Sequence, residues 1–240
     1  IKLDGNYPVG TENVALGDAA LDSAGSGVIQ SVAIGANALT SYTTGSNNTA
    51  VGYNALTAAT SGGNVAVGDR TLAANTSGTN NVAVGSATLL NNVSGTYNVG
   101  VGSASLLSNT GSSNTALGGL ALQNNTTASN NTAVGYQAAY STTTAGNNVA
   151  FGDTALRTNT TGGNAVAIGA RALYSMTTAN GNTAVGMSAA YYTTTGQYNT
   201  ALGRSALQSN TTASDNTAVG YQAGYNITTG SYNVGVGFNS

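Results

Sequence analysis

Cysteine, histidine and tryptophan are missing altogether, and proline occurs once, at Pro8. Without Cys or His there is no zinc site of the Cys/His kind, no thiol chemistry and no Ser-His-Asp triad. The lack of disulfides does not fix a compartment, because secreted proteins held by another device need none. Charge is equally scarce: five Lys/Arg and seven Asp/Glu leave a net charge of -2 over 240 residues. That is no footprint for nucleic acid or for an anionic membrane surface. No apolar run approaches the roughly 20 residues of a spanning helix, and no segment with a basic start and an apolar centre opens the chain. Because it begins at Ile1 rather than at Met, the chain is expected to be a piece of a longer or processed protein.

What is abundant is glycine, at 34 residues, together with Asn, Thr, Ser and Ala. The phrase NNTAVGY stands at 47–53 and again at 130–136, with DNTAVGY at 215–221. Aligning on its glycine gives fourteen reference positions, from Gly17, Gly35 and Gly52 to Gly220 and Gly237. Of the thirteen intervals ten are seventeen residues long, two are sixteen and the first is eighteen. So short and faithful a period is the signature of a repeat architecture.

Each unit carries fixed columns. Three residues before the glycine stands only Val or Thr, and immediately before it only an aliphatic residue or Phe. Between these lies alanine in twelve copies and glycine in two, Gly100 and Gly235. Asn stands four residues before the glycine in twelve copies, the exceptions being Ser31 and Ala165. This is a short strand of period two, β-branched and aliphatic on one face, with a methyl group or nothing on the other. Leu follows the glycine by four residues in ten of thirteen copies; the exceptions Ala139, Ala190 and Gly224 each precede a Tyr, at Tyr140, Tyr191 and Tyr225. That coincidence predicts one volume filled by two routes. A second small residue ten after the glycine, such as Gly78, Gly95 and Gly196, reads as another corner.

Glycine every few residues and the lack of an i, i+3, i+4 stripe oppose helix. One apolar strand per repeat is too little for an independent hairpin. The pattern predicts an all-β fold, a parallel β-solenoid of about 14 coils spanning 13–240, with residues 1–12 as a lead-in or incomplete coil. Equivalent strands would stack at about 4.8 Å. The Val/Thr, aliphatic and Leu columns are expected to form the interior, and the Asn column an amide ladder or simply a row of turn formers.

The small-residue column then needs a reason for its size limit: Ala50, Ala66, Ala83, Gly100, Ala116, Ala133, Ala150, Ala167, Ala184, Ala201 and Ala218 carry nothing beyond a methyl group. Solvent would tolerate larger side chains, whereas a second backbone at close range would not. The placement favoured here packs this column against sister chains around an axis, and the alternative turns it inward. About three sizeable apolar side chains per coil is a small core for so many ordered residues, which also points to burial against other chains.

The unit N-[VT]-A-[VIL]-G-x-x-A-L resembles the N-S-V-A-I-G phrase of the left-handed parallel β-roll in the heads of trimeric autotransporter adhesins. It is also similar to the N-T-A-V-G-Y-Q-A-L-Y-S-N-T-T-G repeat of phage tail-fibre and bacterial surface fibre proteins, best seen in NTAVGYQAAYSTTTAG at 131–146 and NTAVGYQAGYNITTGS at 216–231. The resemblance implies a left-handed homotrimer, extracellular, at the cell surface or on a virion fibre, with the short strand near the three-fold axis.

The residue just after the reference glycine changes freely: Asp18, Tyr53, Asp69, Ser86, Tyr136, Asp153, Met187, Arg204, Tyr221 and Phe238. That freedom predicts exposure. Thirteen Tyr against two Phe favour rings with a wet edge, suited to surface glycans or other polymers or to packing turns. Asp18, Asp69 and Asp153 share one column in non-adjacent copies, so no paired carboxylates and no calcium loop are implied. The expectation is therefore no enzyme, no catalytic residue, no cofactor and no metal. The chain reads as a structural or adhesive fibre segment whose repeated shallow contacts gain by multivalency. An ice-binding solenoid would need a regular Thr column, and the Val/Thr position has only six Thr in fourteen copies.

Overall fold

The computed structural model describes residues 12–240, so the expected lead-in falls, but for Glu12, outside the described residues. Among the described residues every regular element is a β-strand, and the chain winds as a parallel β-solenoid of about 13 turns with a period near 17 residues. It divides into two compact units, 1–116 and 117–240.

In the first unit β1 (Val14–Leu16), β3 (Val32–Ile34), β5 (Thr49–Val51), β6 (Val65–Val67), β7 (Val82–Val84) and β8 (Val99–Val101) pair in that order, all parallel. A smaller parallel pair joins β2 (Val28–Ile29) to β4 (Gly45–Ser46). β9 (Thr115–Leu117) falls at the division. In the second unit β10 (Thr132–Val134), β11 (Val149–Phe151), β12 (Val166–Ile168), β13 (Thr183–Val185), β14 (Thr200–Leu202), β15 (Thr217–Val219) and β16 (Val234–Val236) follow one another in sequence order. Register is residue for residue: Thr132 lies against Val149, Ala133 against Ala150 and Val134 against Phe151. Repeat in sequence and neighbour in space are therefore the same relation, so every column of the alignment is a physical column.

The reference glycine is required by its backbone. Gly152 holds φ +138, and a Cβ there would stand 2.6 Å from the carbonyl carbon of Gly169 in the next coil. Two further residues in each coil after it adopt left-handed backbone, for example Thr154 at φ 51 and Leu156 at φ 54. Left-handed backbone costs a non-glycine residue roughly 1–2 kcal/mol. Full burial of a Leu returns about 1.5–3 kcal/mol, and Leu156 is fully buried. The residue before the Asn column is left-handed too, which explains its run of Asn80, Asn130, Asn147 and Asn164, a residue type that tolerates this region.

The interior corrects one expectation. Ala50, Ala66, Ala83, Ala116, Ala133, Ala150, Ala167, Ala184, Ala201 and Ala218 are 0% exposed within the single chain, and Gly100 is buried with them. The small-residue column thus faces the chain's own interior and is not the face for sister chains. The size limit comes from the opposite wall of the same coil. A Cβ on Gly100 would meet Thr88 Cγ2 at 2.7 Å and Ser105 Oγ at 3.2 Å. The Val/Thr and aliphatic columns, expected inside, point outward instead, as Val82, Val84, Val149, Phe151 and Ile168 do. The Leu column is interior as expected, from Leu39 to Leu207.

The predicted exchange of Leu for Tyr is also not what occurs. Tyr140, Tyr191 and Tyr225 are half-buried in an outer column. At Gly224 the space for a side chain is taken by Leu207 Cδ2, 2.9 Å from a built Cβ, and Ile227 Cδ1 at 3.2 Å. Leu207 from the preceding coil and Ile227 from the same coil close the gap from inside.

The Asn column is a ladder. The Oδ1 of Asn64 accepts the backbone N–H of Asn81 at 3.0 Å, Asn81 accepts that of Asn98 at 2.9 Å, and in the second unit Asn182 and Asn199 accept those of Asn199 and Asn216 at 2.8 and 3.0 Å. Amides of this column also donate to corner carbonyls, as Asn81 Nδ2 to Gly95 and Asn199 Nδ2 to Ala213, both at 2.9 Å. Ala165 accepts no rung onward but its N–H still bonds Asn148 Oδ1 at 2.9 Å. A second interior Asn column went unread in the sequence: Asn75, Asn92, Asn159 and Asn210, seven residues after the glycine, bond the same corner carbonyls at 2.8–3.1 Å. Its mixed occupancy, with Tyr42, Thr142, Met176 and Thr193 at equivalent positions, hid it. Tyr42 is fully buried there. Burial raises its phenol above the usual 10.0, while Ser31 and Asn48 pull it partly back.

Candidate functional site

With Asn, Ala and Leu consumed by the interior, only the outward columns can meet a partner. The first comprises the strand face itself. Each three-residue strand turns its first and third side chains outward, and parallel stacking in register sets Val/Thr above Val/Thr and aliphatic above aliphatic. Phe151 is 56% exposed and Ile168 39%. The face is uncharged in both units, its third-residue column aliphatic or Phe and its first-residue column a mixture of Val and Thr.

The second column, just after the glycine, is at the surface as its variability predicts: Tyr53 and Tyr136 are each 54% exposed. Where successive coils carry suitable groups they stack. Tyr221 lies on Phe238 with centroids 5.2 Å apart, and the Arg204 guanidinium sits 5.8 Å from the Tyr221 ring centre. A further outer column, five residues after the glycine, builds a longer stack: the Arg157 guanidinium lies between the rings of Tyr140 and Tyr174, at 5.4 and 5.7 Å, and Tyr174 stacks on Tyr191 at 5.0 Å. Arg157 is fixed there by Nε donating to Gln137 Oε1 at 3.0 Å and Nη1 to the Tyr174 hydroxyl at 3.3 Å. Arg157 and Arg204 thus hold stacked rings, while Tyr97, Tyr198 and Tyr232 remain open to solvent, at 63%, 61% and 82%.

The third outward feature is a double row of threonine in the second unit. Every coil from Thr126–Thr127 to Thr228–Thr229 carries a Thr-Thr pair one full repeat after the last, seven pairs in succession. The residues flanking each of the first six pairs turn inward, as Thr142 and Ala145 do around Thr143 and Thr144, so both members of the pair lie outside. The first Thr of each pair but the last grips the next coil twice. Thr160 donates both its backbone N–H, at 2.9 Å, and its hydroxyl, at 3.1 Å, to the carbonyl of Thr177. The same two bonds run from Thr126 to Thr143, Thr143 to Thr160, Thr177 to Thr194, Thr194 to Thr211 and Thr211 to Thr228, with hydroxyl distances of 3.0–3.3 Å. The second Thr of each pair is exposed in all seven coils.

Charged groups form no site among the described residues. Asp69 is paired with its neighbour Arg70 at 3.0 Å, both largely in solvent, an arrangement worth about 0–1 kcal/mol. No group of three or more His, Cys, Asp or Glu that could hold a metal occurs among the described residues. The concavity at the last coil, lined by Gln222, Tyr225, Ile227, Asn233 and Ser240 among others, has no acidic or basic side chain in its wall. No helix among the described residues is long and apolar enough to cross a membrane. No protein-family model matches the chain, and neither a curated protein nor a solved structure is significantly similar to it.

Proposed function

We propose that the chain is a non-enzymatic, extracellular structural and adhesive fibre segment, belonging at a cell surface or on a virion fibre. It presents repeated polar and Tyr-bearing columns to glycans or similar surface polymers. The observation that carries this reading is repetition itself: Val/Thr and aliphatic side chains face outward in register in successive coils, and Tyr returns at intervals in the variable column, at Tyr53, Tyr136 and Tyr221, so a weak contact is offered several times over. Linked contacts of this kind raise overall avidity by about 100-fold or more without any strong individual site. The resemblance to adhesin and tail-fibre repeats supports the same reading, and with it a homotrimer. The face available for sister chains is the outward Val/Thr and aliphatic columns, since the alanine column is enclosed.

Retention of the full chain on a panel of immobilised polysaccharides tests the adhesive role. Slow release from at least one polymer is expected, accelerated when Tyr53, Tyr136 and Tyr221 are together replaced by Ser. Failure to be retained on any polymer, or release unchanged by the triple substitution, contradicts the reading.

A further inference from the structure

The double threonine row is not demanded by the fold. In the first unit the corresponding positions carry Val93 and Ser94 in one coil, the next has Thr110 alone before its corner residue Gly111, and both coils close with the same corner. The second unit nevertheless keeps Thr-Thr without exception over seven coils. Its pairs stand about half a coil in sequence from the apolar strand face, so the two surfaces are separate. The row holds hydroxyls and methyls only, with no charge and no ring, at the inter-coil spacing of about 4.8 Å that parallel stacking imposes.

We propose that this row is an ice-binding surface, a template for an ordered water lattice. Three features favour water over a sugar or a protein. The first Thr of the five central pairs, from Thr143 to Thr211, has its hydroxyl proton committed to the next coil's carbonyl, as between Thr160 and Thr177. Its side-chain torsion is therefore fixed, and its oxygen lone pairs remain to accept from water. The second Thr is exposed and free to donate or accept, so each coil repeats the same hydroxyl and methyl pattern. Rigid ordering before contact removes the entropy that a flexible surface would lose on meeting a crystal. Sugars, by contrast, are met by ring faces, and none lies in this row. The signal in the sequence is the TT dipeptide that recurs in seven successive coils of the second unit.

The proposal stands independently of adhesion to polymers. Its test is ice recrystallisation and thermal hysteresis measured on the whole chain. The wild type should shape ice crystals and hold back their growth. Thr161→Tyr with Thr178→Tyr, which places bulk on the exposed column, should abolish this while the β circular dichroism spectrum is kept. Thr44→Tyr, on the mixed row of the first unit, should leave it intact. Ice growth unaffected by the wild type would overturn the proposal, as would equal loss in the two variants or full activity in the double variant. Polysaccharide retention that survives Thr161→Tyr and Thr178→Tyr would show that failure here is not failure of the adhesive reading.

Discussion

A single asparagine in this chain does the work that a strand does elsewhere. Asn199 Oδ1 accepts the buried N–H of Asn216 at 3.0 Å and its amide at 3.2 Å, while its own Nδ2 donates to Ala213 and to Asn182. Truncating it strands a buried donor, a loss of about 1–3 kcal/mol. Urea denaturation of Asn199→Ala should show that loss, and Ala165→Asn, which restores a missing rung, should gain roughly 0.5–2 kcal/mol. Equal stability in the two variants would mean that the Asn column merely forms turns. The ladder was legible because twelve of fourteen copies agree on one residue type. The second amide column was not, since Asn, Thr, Met and Tyr all satisfy its volume and only the carbonyl it reaches gives it a role.

At the scale of the element, period two assigns residues to two sides of a strand without saying which side is in. The alanine column looked like a surface held close to another chain, and the close surface turned out to be the far wall of its own coil, where Thr88 and Ser105 crowd Gly100. The β-branched columns went outward because so short and flat a coil has room inside for one Leu and several small or amide groups, and little else. In the proposed homotrimer this uncovered face is where sister chains would meet. Val149→Lys with Ile168→Lys, in adjacent strands β11 and β12, should therefore leave the solenoid folded and shift sedimentation from three chain masses to one. A wild type that sediments as a monomer, or a double variant that remains trimeric, would refute assembly through this face.

Across the whole molecule, period and fold class were read from the sequence because each coil's main neighbour is its own copy, which makes spacing a direct record of contact. Handedness and partner number leave no such record, since both depend on geometry that every copy shares. A solenoid requires above all that residues one repeat apart touch and residues two repeats apart do not. The absence of Cys makes this measurable. Thr183 and Thr200 are direct partners in β13 and β14, and Thr217 is the next partner along, in β15. Stacked strands about 4.8 Å apart lie within the Cα range of a disulfide, roughly 4.4–6.8 Å, and twice that spacing does not. Under mild oxidation, mass spectrometry of the double variant Thr183→Cys, Thr200→Cys should report an intramolecular disulfide, and Thr183→Cys, Thr217→Cys should report none. Free thiols in the first variant, or bridging to the same extent in both, would contradict the stacked coil.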